Sequence, residues 1–475
     1  MTRFTPVIGL EVHCQLATLS KLFCACANRF GAAPNTLACE ACSGQPGALP
    51  VLNREAVDLA LRAAAAFGCD LAPHLVFDRK HYWYCDLPKG YQITQSREPL
   101  GCGGEVELAD GKRVRLERIH IEEDAAKILR TSNSESLVDL NRAGVPLLEC
   151  VTAPLLASAD EAAECLARMR EILVFSGVGE CDMERGSLRC DVNISLACDE
   201  PSARVELKNL NSFVHVRDAV QFEIRRQSEL LASGRPVERE TRTWDPERRE
   251  TRSLREKERA SDYRYLPEAD LPPVPLERAR IARAAACVPE LPMPRRRRYT
   301  SELGLDATLV EVLLESRASA EFFEATLRHA RDAREVARWL ANDVRALFAE
   351  PELDVHSIAE LSFKPFDLAE LIELAANGRA SRPAARQVLR AMCRTPRAPR
   401  ELLRELGLES LDGGAELDEL CRTAIAAHAD ASEAVRSGHA RALDVLVGAV
   451  MAASKSRANP VAVRARIREL LQAAP

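Results

Sequence analysis

Residues Ile8 to Gln15, IGLEVHCQ, alternate apolar and polar side chains along their whole length. A strand turns successive side chains to opposite faces, so Ile8, Leu10, Val12 and Cys14 share one face and Glu11, His13 and Gln15 the other. Two later segments repeat the arrangement. In SLRCDVNIS, Leu188, Cys190, Val192 and Ile194 oppose Arg189, Asp191 and Asn193; in RVELK, Val205 and Leu207 oppose Arg204, Glu206 and Lys208. The plain reading of such strands is a half-buried sheet with one face in water. Solvent faces favour Thr, Ser and Lys, whereas these collect carboxylates, an imidazole and a guanidinium. The pattern therefore predicts a sheet whose polar side is a site.

Two acidic pieces join that face. IHIEEDAAK sets Glu122, Glu123 and Asp124 in succession, and adjacent carboxylates repel unless a cation or arginine shares the site. GVPLLEC ends an apolar run on Glu149, where an acid has to be paired or ligating. Carboxylates with one imidazole suit Mg²⁺ or Mn²⁺, cations that act on substrate phosphates. The chain has no G-x-x-x-x-G-K-[ST], H-E-x-x-H or G-x-S-x-G motif, so any ATP is handled without a P-loop. Taken alone, these residues predict a metal-using enzyme.

Cys24-Ala-Cys26 and Cys39-Glu-Ala-Cys42 form two close pairs with Gly and Pro between them, a spacing that supplies zinc with four thiolates. With four protein ligands such a site is closed and structural. The start, MTRFTPVIGLE, has no apolar signal region, and the Ala-rich stretch at Ala63 to Ala66 is too short to span a membrane. A cytoplasmic protein with reduced thiols is expected, and no membrane partner. The net charge of −6 gives no global field for nucleic acid, so RNA contact needs a local patch. From Ala431 to Pro475, Arg436, Arg441, Lys455, Arg457, Arg464, Arg466 and Arg468 stand against Glu433, Asp444 and Glu469; the bland reading is a charged helix face.

At 475 residues the chain calls for two to four domains. Its character changes across the proline-rich stretch Leu271 to Arg298, and CRTPRAPR (Cys393 to Arg400) marks a second break. Before the first break, alternating segments and Gly-containing turns dominate. After it come stretches of 3.6-residue periodicity such as AEFFEATLRHARDAREVARWLAND. The expected class is α+β: a domain over residues 1–290, then all-α domains over 291–395 and 396–475.

The strings IGLEVHCQL, SKLFCACANRFGAAPNT, QPGALPVLN, DLPKGYQITQ, HIEEDAAK, LVDLNRAGVPLLE, GSLRCDVNIS, ELKNLNSF, ETRTWD and DYRYLPEADLPP occur in the order of one known family. They closely resemble the B subunit of the bacterial aspartyl/glutamyl-tRNA(Asn/Gln) amidotransferases, over most of residues 6 to 275. VPELPMPRRRRY and VLVGAVMAASKSRANP extend the likeness more loosely. The resemblance implies a glutamine synthetase-like cradle followed by helical domains and a tRNA-binding tail. It also implies a carbon-nitrogen ligase that turns Glu-tRNA(Gln) into Gln-tRNA(Gln), or Asp-tRNA(Asn) into Asn-tRNA(Asn), with ATP. A separate amidase subunit supplies ammonia from glutamine, and a small third subunit makes up the heterotrimer.

Carried onto this chain, the resemblance implies His13, Glu123 (or else Glu122) and Glu149 as Mg²⁺ ligands, with Glu11 on the ion or one contact away. It implies Arg189, Asp191 and Lys208 as catalytic groups around phosphate and metal, and Lys257, Asp262 and Arg264 as a cover for the nucleotide. Cys24, Cys26, Cys39 and Cys42 match the zinc-bearing branch. Cys14 stands where the family has valine, Cys85 where it has proline, and Ala126 and Asp444 where it has glycine; lysines usual near Ala449 to Ser454 are missing. Two other readings remain open: a zinc-stapled RNA-binding protein without catalysis, and an amidotransferase acting on an acid other than tRNA.

Overall fold

A computed structural model of the chain describes residues 4–130, 135–197, 202–254, 263–411, 414–437, 439, 441–454 and 457–473. Lys257 and Asp262, expected at the nucleotide, and Lys455 of the C-terminal basic patch lie outside the described residues. The chain divides into two compact units, Met1–Met293 and Pro294–Pro475.

The first unit is built on β1 (Thr5–Gln15), β2 (Asp78–His81), β3 (Tyr91–Thr94), β4 (Arg113–Glu123), β5 (Pro146–Thr152), β6 (Leu188–Ala197), β7 (Val205–Leu210), β8 (Glu240–Asp245) and β9 (Glu250–Ser253). Its main sheet has ten strands and runs β9-β8-β7-β6-β1-β5-β4, continuing through the short strands Gly101–Cys102 and Asp70–Leu71, with the tenth, Glu105–Glu107, also paired to β4. β7 and β8 pair parallel; β1 pairs antiparallel with both of its neighbours. The strand expected over Ile8 to Gln15 is thus the centre of the sheet, and it begins three residues earlier.

Alternation does what the sequence predicts. Ile8, Leu10, Val12 and Cys14 are fully buried, as are Val192, Ile194, Val205 and Leu207 on the strands beside them. They pack into one apolar cluster with the inner faces of α1 (Arg54–Phe67), α2 (Ala159–Phe175) and α3 (Phe213–Ala232). Each fully buried Val, Leu or Ile contributes about 1.5–3 kcal/mol of transfer free energy, so this face fixes the register. The helices start where the sequence offers caps: Asn53, Ser158 and Ser212 each accept backbone N–H bonds in the first turn. Helices cover one face of the sheet, and the charged face is left open to the site.

The second unit is helical. The periodic stretch AEFFEATLRHARDAREVARWLAND does not form one helix: Arg317–Leu327 ends, and Asp332 caps a new helix, Ala333–Arg338. That helix passes into a π-helical turn at Trp339–Val344. The last four helices, Ala415–Ala427, Ala429–Arg436, Ala442–Ala453 and Pro460–Ala473, share a core of their own that includes Leu417, Leu446, Val450 and Ile467. The basic residues there are largely spoken for. Arg464 reaches Asp444 at 2.5 Å, Arg466 reaches Asp418 at 2.6 Å and Arg457 reaches Glu416 at 2.7 Å, which supports the bland reading of a paired helix surface.

Gly179 meets the end of β1 so closely that a Cβ there would lie 2.5 Å from the Gln15 carbonyl oxygen and 2.6 Å from Cys14 Sγ. Gly179→Ala is expected to cost about 1–3 kcal/mol by overpacking, read as a lower denaturant midpoint at unchanged slope. Unchanged stability would mean that the end of β1 can shift freely.

Candidate active site

The open face gathers side chains from four adjacent strands. On β1, Glu11 lies in register with Asp191 of β6, and His13 with Arg189. On the other side His13 is in register with Glu149 of β5, which in turn faces His120 of β4. His13 Nε2 stands 3.2 Å from Glu149 Oε2, 3.5 Å from Glu122 Oε1 and 3.9 Å from Glu11 Oε1. His120 Nε2 approaches the same two acids from β4, 3.4 Å from Glu122 Oε2 and 3.6 Å from Glu149 Oε2. Glu11, His13 and Glu149 form one group close enough to share an ion, and His120, Glu122 and Glu149 form another.

Burial and charge set the protonation. Burial alone would push His13 down, yet hydrogen bonds to Glu122 and Glu149 lift it to about 10. Burial would raise Glu149, but His120 and His13 hold it at about 2. Glu122 is likewise held well below the usual carboxylate range, against its burial, by His120 and His13. Glu11 moves the other way: burial first, then the charge of Glu149, raise it. Without an ion the protonated His13 balances the carboxylates; a divalent cation among these oxygens and imidazoles would do the same work. The donor set fits such an ion.

Glu123 is not brought into this cluster. As the next residue on β4 it points to the other side, where Lys89 and the Ile93 N–H (2.8 Å) bind its carboxylate. It borders a cavity of about 360 Å³ lined also by Lys89, Tyr91, Arg79 and Cys42. Asp124 is a junction: Arg189 reaches it at 2.8 Å, Arg142 at 3.6 Å and Gln15 at 3.4 Å. Lys208 bridges Asp191 at 2.6 Å and Glu206 at 2.9 Å. Arg264 is exposed on a strand paired with β2, where its carbonyl contacts His81 Nδ1 at 3.2 Å; it does not join the metal cluster.

Near the end of β1 the four cysteines converge, all Sγ atoms within 4.8 Å of one another and Cys39 3.9 Å from Cys42. Thiolates about 2.3 Å from a tetrahedral zinc are roughly 3.8 Å apart, so the loop fits the ion. A bond from Cys24 holds the Cys42 thiol down at about 4 against its burial, with the Cys39 N–H and the Lys21 ammonium adding to the effect. Lys21 is fully buried and its Nζ lies 3.5 Å from Cys42 Sγ.

The model of the GatB/GatE catalytic domain matches residues 6–282, and that of the GatB domain matches residues 321–471. The chain belongs to the GatB/GatE family. Among its relatives is the B subunit of the aspartyl/glutamyl-tRNA(Asn/Gln) amidotransferase of Myxococcus xanthus, 42% identical over 98% of both chains. Those of Anaeromyxobacter sp. (strain Fw109-5), 43% identical, and Caldicellulosiruptor saccharolyticus, 41% identical, cover 98% and 99% of this chain. No described helix is long and apolar enough to cross a membrane.

Against the GatB/GatE pattern, the departures find simple places. Cys14 packs against Cys181, Sγ to Sγ 3.4 Å, on the helix-covered side of the sheet. Ala126 is buried and donates its N–H to the Asp86 carbonyl, while Cys85 is exposed. The sequence reading passed over His120 and Arg118, the latter 3.2 Å from Glu149 Oε1. His120 could have been found: two residues before Glu122 on a strand, it has to share that residue's face.

Two outcomes follow from this geometry. Glu149→Gln is expected to weaken divalent-cation binding by calorimetry at least about tenfold, and Glu123→Gln by less than about threefold; equal losses would place the ion elsewhere. Purified protein is expected to carry about one zinc per chain, and Cys42→Ala to lose it, by elemental analysis.

Proposed function

We propose that this chain is the component of a tRNA-dependent amidotransferase that binds misacylated tRNA and activates its esterified side-chain carboxylate with ATP. The substrates are Glu-tRNA(Gln), Asp-tRNA(Asn) or both. The observation that carries the reading is a partly buried cluster of two imidazoles and three carboxylates on an open sheet face, in a chain about 42% identical end to end to B-subunit proteins. A glutamine synthetase-like cradle for the first unit is part of the same proposal.

A carboxylate is a poor electrophile. In the first step one of its oxygens attacks the γ-phosphorus of ATP, the bond to the β-γ bridging oxygen breaks, and ADP leaves. In the second, ammonia attacks the carbonyl carbon, the bond to the phosphate oxygen breaks, and phosphate leaves with the amide formed and one proton released. His13, Glu122 and Glu149, with Glu11 alongside, would hold Mg²⁺, which would supply charge neutralisation at the nucleotide phosphates. Asp191 orients Lys208, and Asp124 orients Arg189, so that both cations meet phosphate oxygens in fixed directions. Lys257, Asp262 and Arg264 are assigned to the cover over the nucleotide. Glu123 holds Lys89 beside the neighbouring cavity and takes no part in holding the ion.

In the same reading residues 1–290 are the catalytic domain, 291–395 a helical connection and 396–475 the tRNA-binding tail. Zinc at Cys24, Cys26, Cys39 and Cys42 is structural. The partners in the heterotrimer are a glutamine-hydrolysing amidase and a small third subunit, in the cytoplasm.

The test is reconstitution of the chain with its host's amidase and small third subunit, supplied with Glu-tRNA(Gln) or Asp-tRNA(Asn), glutamine, Mg²⁺ and ATP. Expected is amidated tRNA, with Asp191→Asn slowing turnover about 100-fold or more, as loss of a transition-state electrostatic contact does. Failure with both tRNAs would refute the proposal, and amidation of a free acid instead would identify a different acceptor.

A further inference from the structure

Glu149 stands between two imidazoles. His13 faces it across one strand pair and His120 across the other, so both rings are held by the sheet and not by loops. The four contacts that join His13, Glu149, His120 and Glu122 in a ring measure 3.2, 3.6, 3.4 and 3.5 Å. His120, Glu122 and Glu149 lie close enough to share one cation, as do Glu11, His13 and Glu149, and the two groups meet at Glu149, so a single octahedral ion there brings both imidazoles within reach. His120 is buried, with 3% of its surface exposed. Its Nδ1 has no protein hydrogen-bond partner among the described residues, so its directed contacts all leave through Nε2 toward Glu122 and Glu149.

We infer that His120 is a second imidazole ligand of the cation site, and that the set His13, His120, Glu122 and Glu149 binds Mn²⁺ in preference to Mg²⁺. This deepens the reading of the face as the cation site and rests on it. The chemistry follows from donor type. Mg²⁺ is a hard ion that prefers oxygen and keeps several waters, so nitrogen donors add little to its binding. First-row transition ions accept imidazole readily, and each nitrogen raises their affinity relative to Mg²⁺. One histidine among carboxylates leaves the choice open; two tilt it. The competing view makes His120 a hydrogen-bond donor that only holds Glu149 and Glu122 in place, with no preference between the ions.

The experiment uses the full-length, zinc-loaded chain titrated with Mn²⁺ and followed by electron paramagnetic resonance, with Mg²⁺ as competitor. Pulsed spectra of the Mn²⁺ form are expected to show coupling to two imidazole nitrogens, falling to one in His120→Gln and to one in His13→Gln. The Mn²⁺ dissociation constant is expected to rise about 10–100-fold in His120→Gln, while that of Mg²⁺ changes less than about threefold. A single nitrogen coupling in the unaltered chain would overturn the inference. So would Mn²⁺ affinity unchanged in His120→Gln but lost in His13→Gln, which reduces His120 to a support. Binding unaffected in both variants would instead refute the cation-site reading. Should His120→Gln fail to fold, the nitrogen count in the unaltered chain still decides.

Discussion

Carboxylates in a poorly solvated place repel one another, and that repulsion organises the first unit. Glu122 and Glu149 are almost wholly buried, and Glu11 lies at the rim of the same group. Their oxygens come together only because His13 and His120 stand between them, each reaching both buried acids. Opposite charge within about 4 Å offsets the desolvation that burial imposes. The cost is an arrangement of low stability in isolation, which the sheet has to hold in place. A cation that replaces the proton on His13 keeps the balance, so the constraint that gathers these groups also favours an ion among them.

The sheet can hold the arrangement because its two faces do separate jobs. Every second residue of β1 and β6 goes into the core beneath α1, α2 and α3, and shifting either strand by one residue would bury Glu11, His13 and Asp191 there instead. Hydrophobic burial therefore sets the positions of the polar groups to within a strand register. Further out the charges are paired in a graded way. Arg189 and Lys208 each have a carboxylate partner but remain partly exposed, unlike the enclosed cluster.

Period-2 patterning made much of this legible in advance. The strands through Ile8–Gln15, SLRCDVNIS and RVELK, the polar face with Glu11, His13 and Asp191, and the thiol cluster were all readable one segment at a time. Other features depend on relations between segments. Glu122 and Glu123 are chemically equivalent in the string HIEEDAAK, and only the pairing of β4 with β5 and the contact of Glu123 with the Ile93 N–H on β3 send one to the cluster and the other to Lys89. The helical half hid its breaks for a related reason. Periodicity continues through Asp332, but an aspartate that can accept from Arg334 and Glu335 competes with the helix and caps a new one. The family motifs carried the assignment of ATP and tRNA, which no spacing in the chain expresses.

The cysteine loop is tied to the site through the backbone, and Lys21 is the knot. Its ammonium has three protons and uses each: toward the Leu37 carbonyl at 2.7 Å, the Leu140 carbonyl at 3.1 Å and Cys42 Sγ at 3.5 Å. Four thiolates around one Zn²⁺ leave two excess negative charges, and a buried ammonium on one sulfur offsets part of them. The next residue, Leu22, donates to the Gly144 carbonyl, and Gly144 donates to the Asp124 carbonyl. Asp124 is the residue that holds Arg189 on the open face. Gly144 sits at φ +83°, a conformation that side-chain-bearing residues rarely adopt, so the link passes through a turn with little freedom to rearrange. A zinc among these thiols would thus act on the open face at one remove, through the backbone. It would hold the loop whose Leu22 binds the turn ahead of β5, and that turn itself binds the Asp124 backbone.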